Sequence, residues 1–369
     1  MNQWFYVGTY TGPKSKGIYL YELDLATGRI FAHGLACETT HPSFVAHHPT
    51  RRFCYAANEV GDFEGRKTGS ATALSVDPSA LKLTSLNQQP SEGLWPCHLT
   101  VDRTGRHVLV ANYGSGTVTV LPIRDDGSLG PPACTIQHEG HGPHPKRQEG
   151  PHAHSVNIDP AGEFVIAADL GIDQLQISHL DAATGRLTPH DPAFVRVAPG
   201  SGPRHLAFSP DGRFAYLLTE LANTIVVYSL ADRRAVLTEL QTVSLLPVDF
   251  KGQSSGAEVK VHPTGRFVYG SSRGHDSIAI FRVHAGTGKL TPVAIEPSRG
   301  KEPRNFAIDP SGQYLVVANH KSDNLVVFRI DLSTGRLEHR QTIEGPASPV
   351  CVLFVPPSWL RDGELGTES

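Results

Sequence analysis

Histidine, arginine and glutamate side chains recur at equivalent points of a repeating segment in this 369-residue chain. The repeat can be anchored on one turn residue per copy: Pro49, Arg103, Pro160, Pro210, Pro263 and Pro310. Six residues before the anchor stand Ser43, Cys97, His154, Arg204, Ala257 and Arg304. Five before it stand Phe44, His98, Ser155, His205, Glu258 and Asn305, and ten after it Glu59, Tyr113, Leu170, Glu220, Arg273 and His320. An imidazole takes and returns protons near neutral pH, and guanidinium donors match carboxylate and phosphate oxygens. A repeat that only builds structure should hold similar residues at similar points, as this one does at its apolar positions. The variety at these points therefore suggests a differentiated site. Polar residues on a wet rim, or an ion-pair network between repeats, would also account for the same residue types.

The elements that must position these groups are short strands. Copies begin at 41–58, 95–112, 152–168, 203–219, 257–272 and 303–319, spaced by roughly 45–55 residues, the scale of a propeller blade. Each reads as an alternating strand, a tight turn, and a second, more apolar strand. Ser209-Pro210-Asp211-Gly212 is the clearest turn, with Pro presetting one φ and Gly accepting another. A third strand follows, as at 224–228 and 324–328. Then come a Thr-Gly-Arg/Lys turn (Thr27-Gly28-Arg29, Thr184-Gly185-Arg186, Thr287-Gly288-Lys289, Thr334-Gly335-Arg336) and a fourth strand.

Segments 4–10, 17–23 and 30–36 match strands two to four of a seventh copy, whose first strand lies at 349–355. The expected fold is all-β: a seven-bladed β-propeller with four antiparallel strands per blade, closed by a blade shared between the N- and C-terminal segments. One domain is expected over 1–369, with a peripheral tail after about residue 358. The first strand of each hairpin starts, and the second ends, on one rim, so the positions above should converge at one mouth. Two segments break the period: a polar insertion at 62–69 and a Gly/His/Pro-rich loop at 137–150, directly before His154. Long loops in compact folds are usually functional.

Several motifs, in this order and one per blade, carry a family resemblance. They are Tyr6-Val7-Gly8-Thr9-Tyr10, Pro151-His152-Ala153-His154-Ser155, Ala168-Asp169-Leu170-Gly171-Ile172-Asp173, Gly202-Pro203-Arg204-His205, Thr219-Glu220-Leu221 and Ser272-Arg273-Gly274-His275. Across essentially its whole length the chain resembles the seven-bladed-propeller lactonases, the family of bacterial 6-phosphogluconolactonases and fungal carboxymuconate-lactonizing enzymes. The resemblance implies a catalytic set of His154, Arg204, Glu220 and Arg273. Arg304, His98, Arg147 and Gln148 are added as candidate substrate-binding residues. The His-rich insertion departs from the lactonizing branch and leaves the substrate open.

The expected activity is hydrolysis of a sugar-acid lactone, 6-phosphogluconolactone to 6-phosphogluconate, a carboxylic-ester hydrolase reaction. His154 would be the general base, and Arg204 and Arg273 would hold an anion or the oxyanion. Glu220 would orient an Arg or the water. Two alternatives remain: a cycloisomerase of the carboxy-cis,cis-muconate-lactonizing type and a non-catalytic binding propeller.

Composition narrows the rest. Lys+Arg of 33 against Asp+Glu of 36 leaves no basic excess for nucleic acid. No apolar run approaches the roughly 18 residues of a membrane helix, and the opening residues carry no signal-peptide pattern. Five scattered cysteines with no Cys-x-x-Cys pair fit a reducing compartment. A cytoplasmic monomer or weak homo-oligomer acting on a small molecule is expected, with no cofactor and no required metal. His138, His141, His144, His152 and His154 cluster in sequence, but on a Gly/Pro loop rather than a helix face. Cys97 shares the register of His154 and would be a nucleophile only if ionised; a small buried hydrophobe is the commoner role.

Overall fold

The second strand of each repeat is too short for a helix and too apolar for a sheet with one wet face. Val108 to Ala111 and Leu315 to Ala318 are all fully buried, consecutive side chains pointing in opposite directions yet neither meeting solvent. In the computed structural model, which describes residues 2–231 and 236–360, such strands are sandwiched between neighbouring sheets.

The described residues form seven four-stranded antiparallel sheets. Blade 1 comprises Pro42–His47, Phe53–Asn58, Ser70–Val76 and Leu83–Pro90, and blade 2 Pro96–Val101, His107–Asn112, Thr117–Pro122 and Cys134–Gln137. Blade 3 holds Ala153–Ile158, Phe164–Asp169, Gln174–Asp181 and Arg186–Arg196. Blade 4 holds Pro203–Phe208, Phe214–Thr219, Thr224–Ala231 and Val236–Ser244. Blade 5 runs through Ser255–Val261, Phe267–Arg273, Ser277–Val283 and Leu290–Pro297, and blade 6 through Pro303–Ile308, Tyr314–Asn319, Asn324–Ile330 and Leu337–Glu344. Blade 7 joins Pro349–Phe354 to Asn2–Thr9, Gly17–Asp24 and Arg29–Glu38, with Phe5 opposite Phe354 and Val7 opposite Val352. The expected propeller and its closing blade are both present.

Each pair of neighbouring blades shares one apolar cluster. Blades 4 and 5, for example, bury Tyr216, Leu218, Val259 and Phe281 against each other. The first strands of successive blades touch in a closed circuit and so line the axis. Away from that line, tyrosine hydroxyls tie blades together by donating to carbonyls of the next blade's outer turns: Tyr55 to Gly127 at 3.0 Å and Tyr269 to Gly335 at 2.9 Å.

Pro357–Leu360 forms a single 3-10 turn. The tail expected to be peripheral is docked at this point. Trp359 is buried in the cluster between blades 7 and 1, edge-on to His47, and its carbonyl accepts from Arg52 at 2.9 Å. Burying an indole there adds apolar area that a free tail would forgo. Residues 361–369 lie outside the described residues. No helix among the described residues is long and apolar enough to cross a membrane. The five cysteines are free thiols.

Candidate active site

The position six before the anchor has a structural identity that alternation alone does not reveal. In every blade the inner strand carries one extra residue just inside its start. Ala153 pairs with Asp169 and Ser155 with Ala168, leaving His154 unpaired between them. Pro203 and His205 likewise flank Arg204, and Pro303 and Asn305 flank Arg304. A β-bulge of this kind re-aims one side chain out of the sheet's two faces. Here it turns His154 and Arg204 towards the space that Glu220 and Arg273, at the ends of second strands, approach from the same rim. Backbone contacts fix the approach: Glu220 N–H donates to Gly202 O at 2.7 Å, and Asp173 accepts from the N–H groups of Gly200 and Gly202 at 2.7 and 2.8 Å. The Gly200 and Gly202 amides thus already have an anionic partner, and that of Ser201 donates to Ala198 O at 3.1 Å.

Glu220 is the centre of the set. Its Oε2 accepts from Arg204 Nε at 2.8 Å and lies 3.0 Å from Arg273 Nη2, while Oε1 takes Arg147 Nη2. His154 Nε2 is 3.7 Å from the same Oε2, too far for a direct hydrogen bond and suited to a shared third group. The structure therefore brings together all four residues of the expected catalytic set. They differ in access. Arg204 is 2% exposed, with Nη1 held on Ala257 O, whereas the Arg273 side chain is 14% exposed and donates to Gly256 O at 3.1 Å. Arg273 Nε is buried and has no acceptor.

Burial would raise the Glu220 pKa, but Arg273, Arg204 and Arg147 outweigh it and hold the carboxyl well below the usual range. Burial, reinforced by Arg204, His205 and Arg304, pushes the His154 imidazole well below 6.5, so it is neutral at physiological pH. The Cys97 thiol touches this ring, Sγ to Nδ1 3.7 Å, but burial pushes its pKa up and it stays protonated. That fits packing rather than nucleophilic attack.

Two further groups line the mouth or the axis beneath it. Arg304 donates to Tyr10 OH at 2.7 Å and sits 3.8 Å from Glu59, which accepts from Tyr10 OH at 2.8 Å. His98 and His154 each meet His205 edge-to-face, at 5.3 and 5.4 Å between ring centres. His205 Nδ1 is 3.0 Å from Glu258, whose carboxylate also receives Asn305 and lies 3.4 Å from Lys260 Nζ. Tyr10, Glu59, His205, Glu258 and Asn305 were not singled out as site residues, although all but Tyr10 occupy the compared register positions.

Burial first, with neighbouring charges, holds His98 and His154 well below 6.5 and brings His205 down to about 4. The unfolded chain takes up protons on these groups from about pH 6.5 downward while the folded one does not, so stability must fall as pH falls through that window. Glu220 and Glu258, both depressed, extend the loss below about pH 4.5. Urea midpoints measured at pH 7.5, 6 and 5 are expected to decrease in that order; a constant midpoint would refute the burial of neutral imidazoles.

The long loop folds over blade 3 on specific contacts. His138 Nδ1 lies 2.7 Å from Asp169, and His152 Nδ1 lies 2.9 Å from Tyr113 O. Gly171 lets the loop lie close, since a Cβ there would stand 1.9 Å from Gly150 O. Its histidines are drawn to separate partners, and the described residues contain no group of three or more ligands set to hold a metal. Two binding candidates in the loop diverge. Arg147 reaches Glu220 and, at 3.3 Å, Tyr113 OH. Gln148 is fully buried, donating to Leu170 O at 2.8 Å and accepting from His144 N–H at 3.0 Å. It is a strut of the loop and has no free amide atom directed at the mouth. Sequence reasoning misplaced it because adjacent loop residues with no regular period give no indication of which one faces inward.

Comparison with known proteins bears on this arrangement. The family described as "Lactonase, 7-bladed beta-propeller" matches residues 4–354. A 6-phosphogluconolactonase of Bacillus subtilis is 40% identical over 304 residues, covering 82% of this chain and 84% of that one. A 6-phosphogluconolactonase of Formosa agariphila is 29% identical, covering 82% and 86%. The solved structure of a periplasmic gluconolactonase from Pseudomonas aeruginosa superposes with a TM-score of 0.91 at 36% identity, over 96% of this chain and 99% of that one.

Proposed function

Because this chain belongs to the seven-bladed β-propeller lactonases, we propose that it hydrolyses a sugar-acid lactone, with 6-phosphogluconolactone as substrate and 6-phosphogluconate as product. The observation that carries the reading is one buried carboxylate, Glu220, gathering Arg147, Arg204 and Arg273 with a neutral imidazole 3.7 Å away.

In this mechanism His154 Nε2 and Glu220 Oε2 share the attacking water, and His154 takes its proton as the water oxygen bonds to the lactone carbonyl carbon. The oxyanion that develops is met by Arg273, whose buried Nε has no other acceptor. Arg204, sealed from solvent, holds Glu220 in place. As the ring C–O bond breaks, His154 returns the proton to the departing ring oxygen. The new carboxylic acid ionises in water. Arg304 and Tyr10 face the sugar hydroxyls from the opposite wall.

The deciding measurement is a substrate panel of 6-phosphogluconolactone, δ-gluconolactone and carboxy-cis,cis-muconate. Hydrolysis of an aldonolactone is the expected outcome, and turnover of the muconate alone would replace this reading with the cyclising one. The five free thiols support a reducing, cytoplasmic setting. Cell fractionation tests that, since the Pseudomonas relative is described as periplasmic.

A further inference from the structure

Three guanidinium groups share one carboxylate at Glu220, so this part of the mouth carries two positive charges in excess. Around it Arg304 faces Glu59 and Lys260 faces Glu258, and the carboxylate of Glu149, two residues from Arg147, is 61% exposed, so that water screens its charge. The neighbouring imidazoles of His98, His154 and His205 are uncharged at neutral pH. A buried or half-buried excess of two charges is costly unless a ligand answers it.

Access decides which cation meets that ligand first. Arg204 is sealed and Arg273 largely buried, whereas the Arg147 side chain is 37% exposed. Among the described residues its Nη2 is engaged, on Glu220 and Tyr113 OH, and no hydrogen bond is made by Nε or Nη1. Of the polar loop residues around it, His138 is held by Asp169 and Gln148 by Leu170 O and His144 N–H, while the exposed Glu149 lies 3.6 Å from His152. The loop therefore presents Arg147 from a built support, as its charged contribution to the mouth.

Tyr113 touches both groups. Its hydroxyl meets Arg147, while its ring lies against His154 at 5.5 Å between ring centres and stacks on His152 at 4.5 Å. The Glu220 carboxylate also stands between the two groups, with Arg147 Nη2 on its Oε1 and His154 Nε2 3.7 Å from its Oε2. In a 6-phosphorylated aldonolactone, part of the ring and one exocyclic carbon separate the phosphate from the carbonyl. A phosphate monoester carries about −1.5 to −2 charges at pH 7, which matches the excess.

We propose that Arg147 is the residue that selects a phosphorylated lactone: it receives the 6-phosphate at the mouth while the carbonyl faces His154. The inference rests on the lactonase reading and adds the residue that separates phosphorylated from plain substrates. The ligand chemistry is that of a phosphate monoester, and guanidinium matches it better than an ammonium does.

The test compares Arg147→Gln and Arg147→Lys with the parent on 6-phosphogluconolactone and δ-gluconolactone, alongside calorimetric binding of inorganic phosphate. For Arg147→Gln, kcat/KM on the phosphorylated lactone is expected to fall about 100-fold, chiefly through KM. The loss on the plain lactone should be at least tenfold smaller. Arg147→Lys should recover part of the discrimination, and phosphate binding should weaken in the Gln variant. Equal losses on both lactones would overturn the proposal, since they would mean that Arg147 acts only by holding Glu220. If no lactone is hydrolysed by the parent, the lactonase reading fails. Phosphate binding then judges Arg147 separately: unchanged binding in Arg147→Gln rejects it, and lost binding retains it as an anion-selecting residue.

Discussion

A His154→Ala protein is expected to fold and to lose lactone hydrolysis by about 10²–10⁴-fold in kcat, the usual contribution of a positioned acid–base group. The imidazole sits on a bulge, has its Nδ1 3.7 Å from Cys97 Sγ, and is neutral because burial and the nearby Arg204 disfavour its cation. Removing it leaves the propeller's apolar clusters intact. A neutral base also sets the pH profile of the parent enzyme. Protonation inactivates it, so kcat/KM should stay level through neutrality and decline only below the ordinary histidine range near 6.5. Steady-state rates between pH 4.5 and 8 on the parent, with circular dichroism on the variant, check both parts. A well-folded variant with undiminished rate would eliminate His154 as the base.

Removing Glu220 should do more harm to the fold. In Glu220→Ala, Arg147, Arg204 and Arg273 lose their shared counter-charge, and Arg204 cannot reach water. Breaking a buried ion pair by deleting one partner costs about 3–5 kcal/mol, because the remaining charge stays desolvated and unpaired. Urea unfolding should move to a clearly lower midpoint, and lactone hydrolysis should vanish with the ordered site. A second substitution separates charge from lost packing. Adding Arg147→Gln to Glu220→Ala takes away one unopposed cation, so the double variant should lose less stability than the two single losses combined. Strict additivity would mean that the cluster is held by packing and not by its charge balance.

Much of this architecture could be read from the residues. The anchor Pro or Arg, the Asp-Gly and Thr-Gly turns, and apolar second strands recur because each blade must bury both faces against its neighbours. That burial also distributes periodicity evenly around the ring. The convergence of His154, Arg204, Glu220 and Arg273 followed from hairpin geometry together with family motifs. Other features were not legible. The bulge that frees His154 from the sheet alternation is a backbone event with no residue type of its own. Arg147 and Gln148 are neighbours in a loop without a period, and only the loop's path sends one to Glu220 and folds the other inward. Tyr10 reaches Arg304 only because the ring closes, which brings residues 294 positions apart into contact.

Ring closure has a consequence for how the molecule is made. Pro349–Phe354 completes the blade that begins at Asn2–Thr9, so during translation the strand Asn2–Thr9 must wait until residues 349–354 have been made before its inner edge is paired. Blades 3 to 5, which supply His154, Arg204, Glu220 and Arg273, can form before residues 349–354 have been made, whereas the blade that carries Tyr10 is completed only by them. An unpaired edge held open for that interval is a template for pairing with another nascent copy.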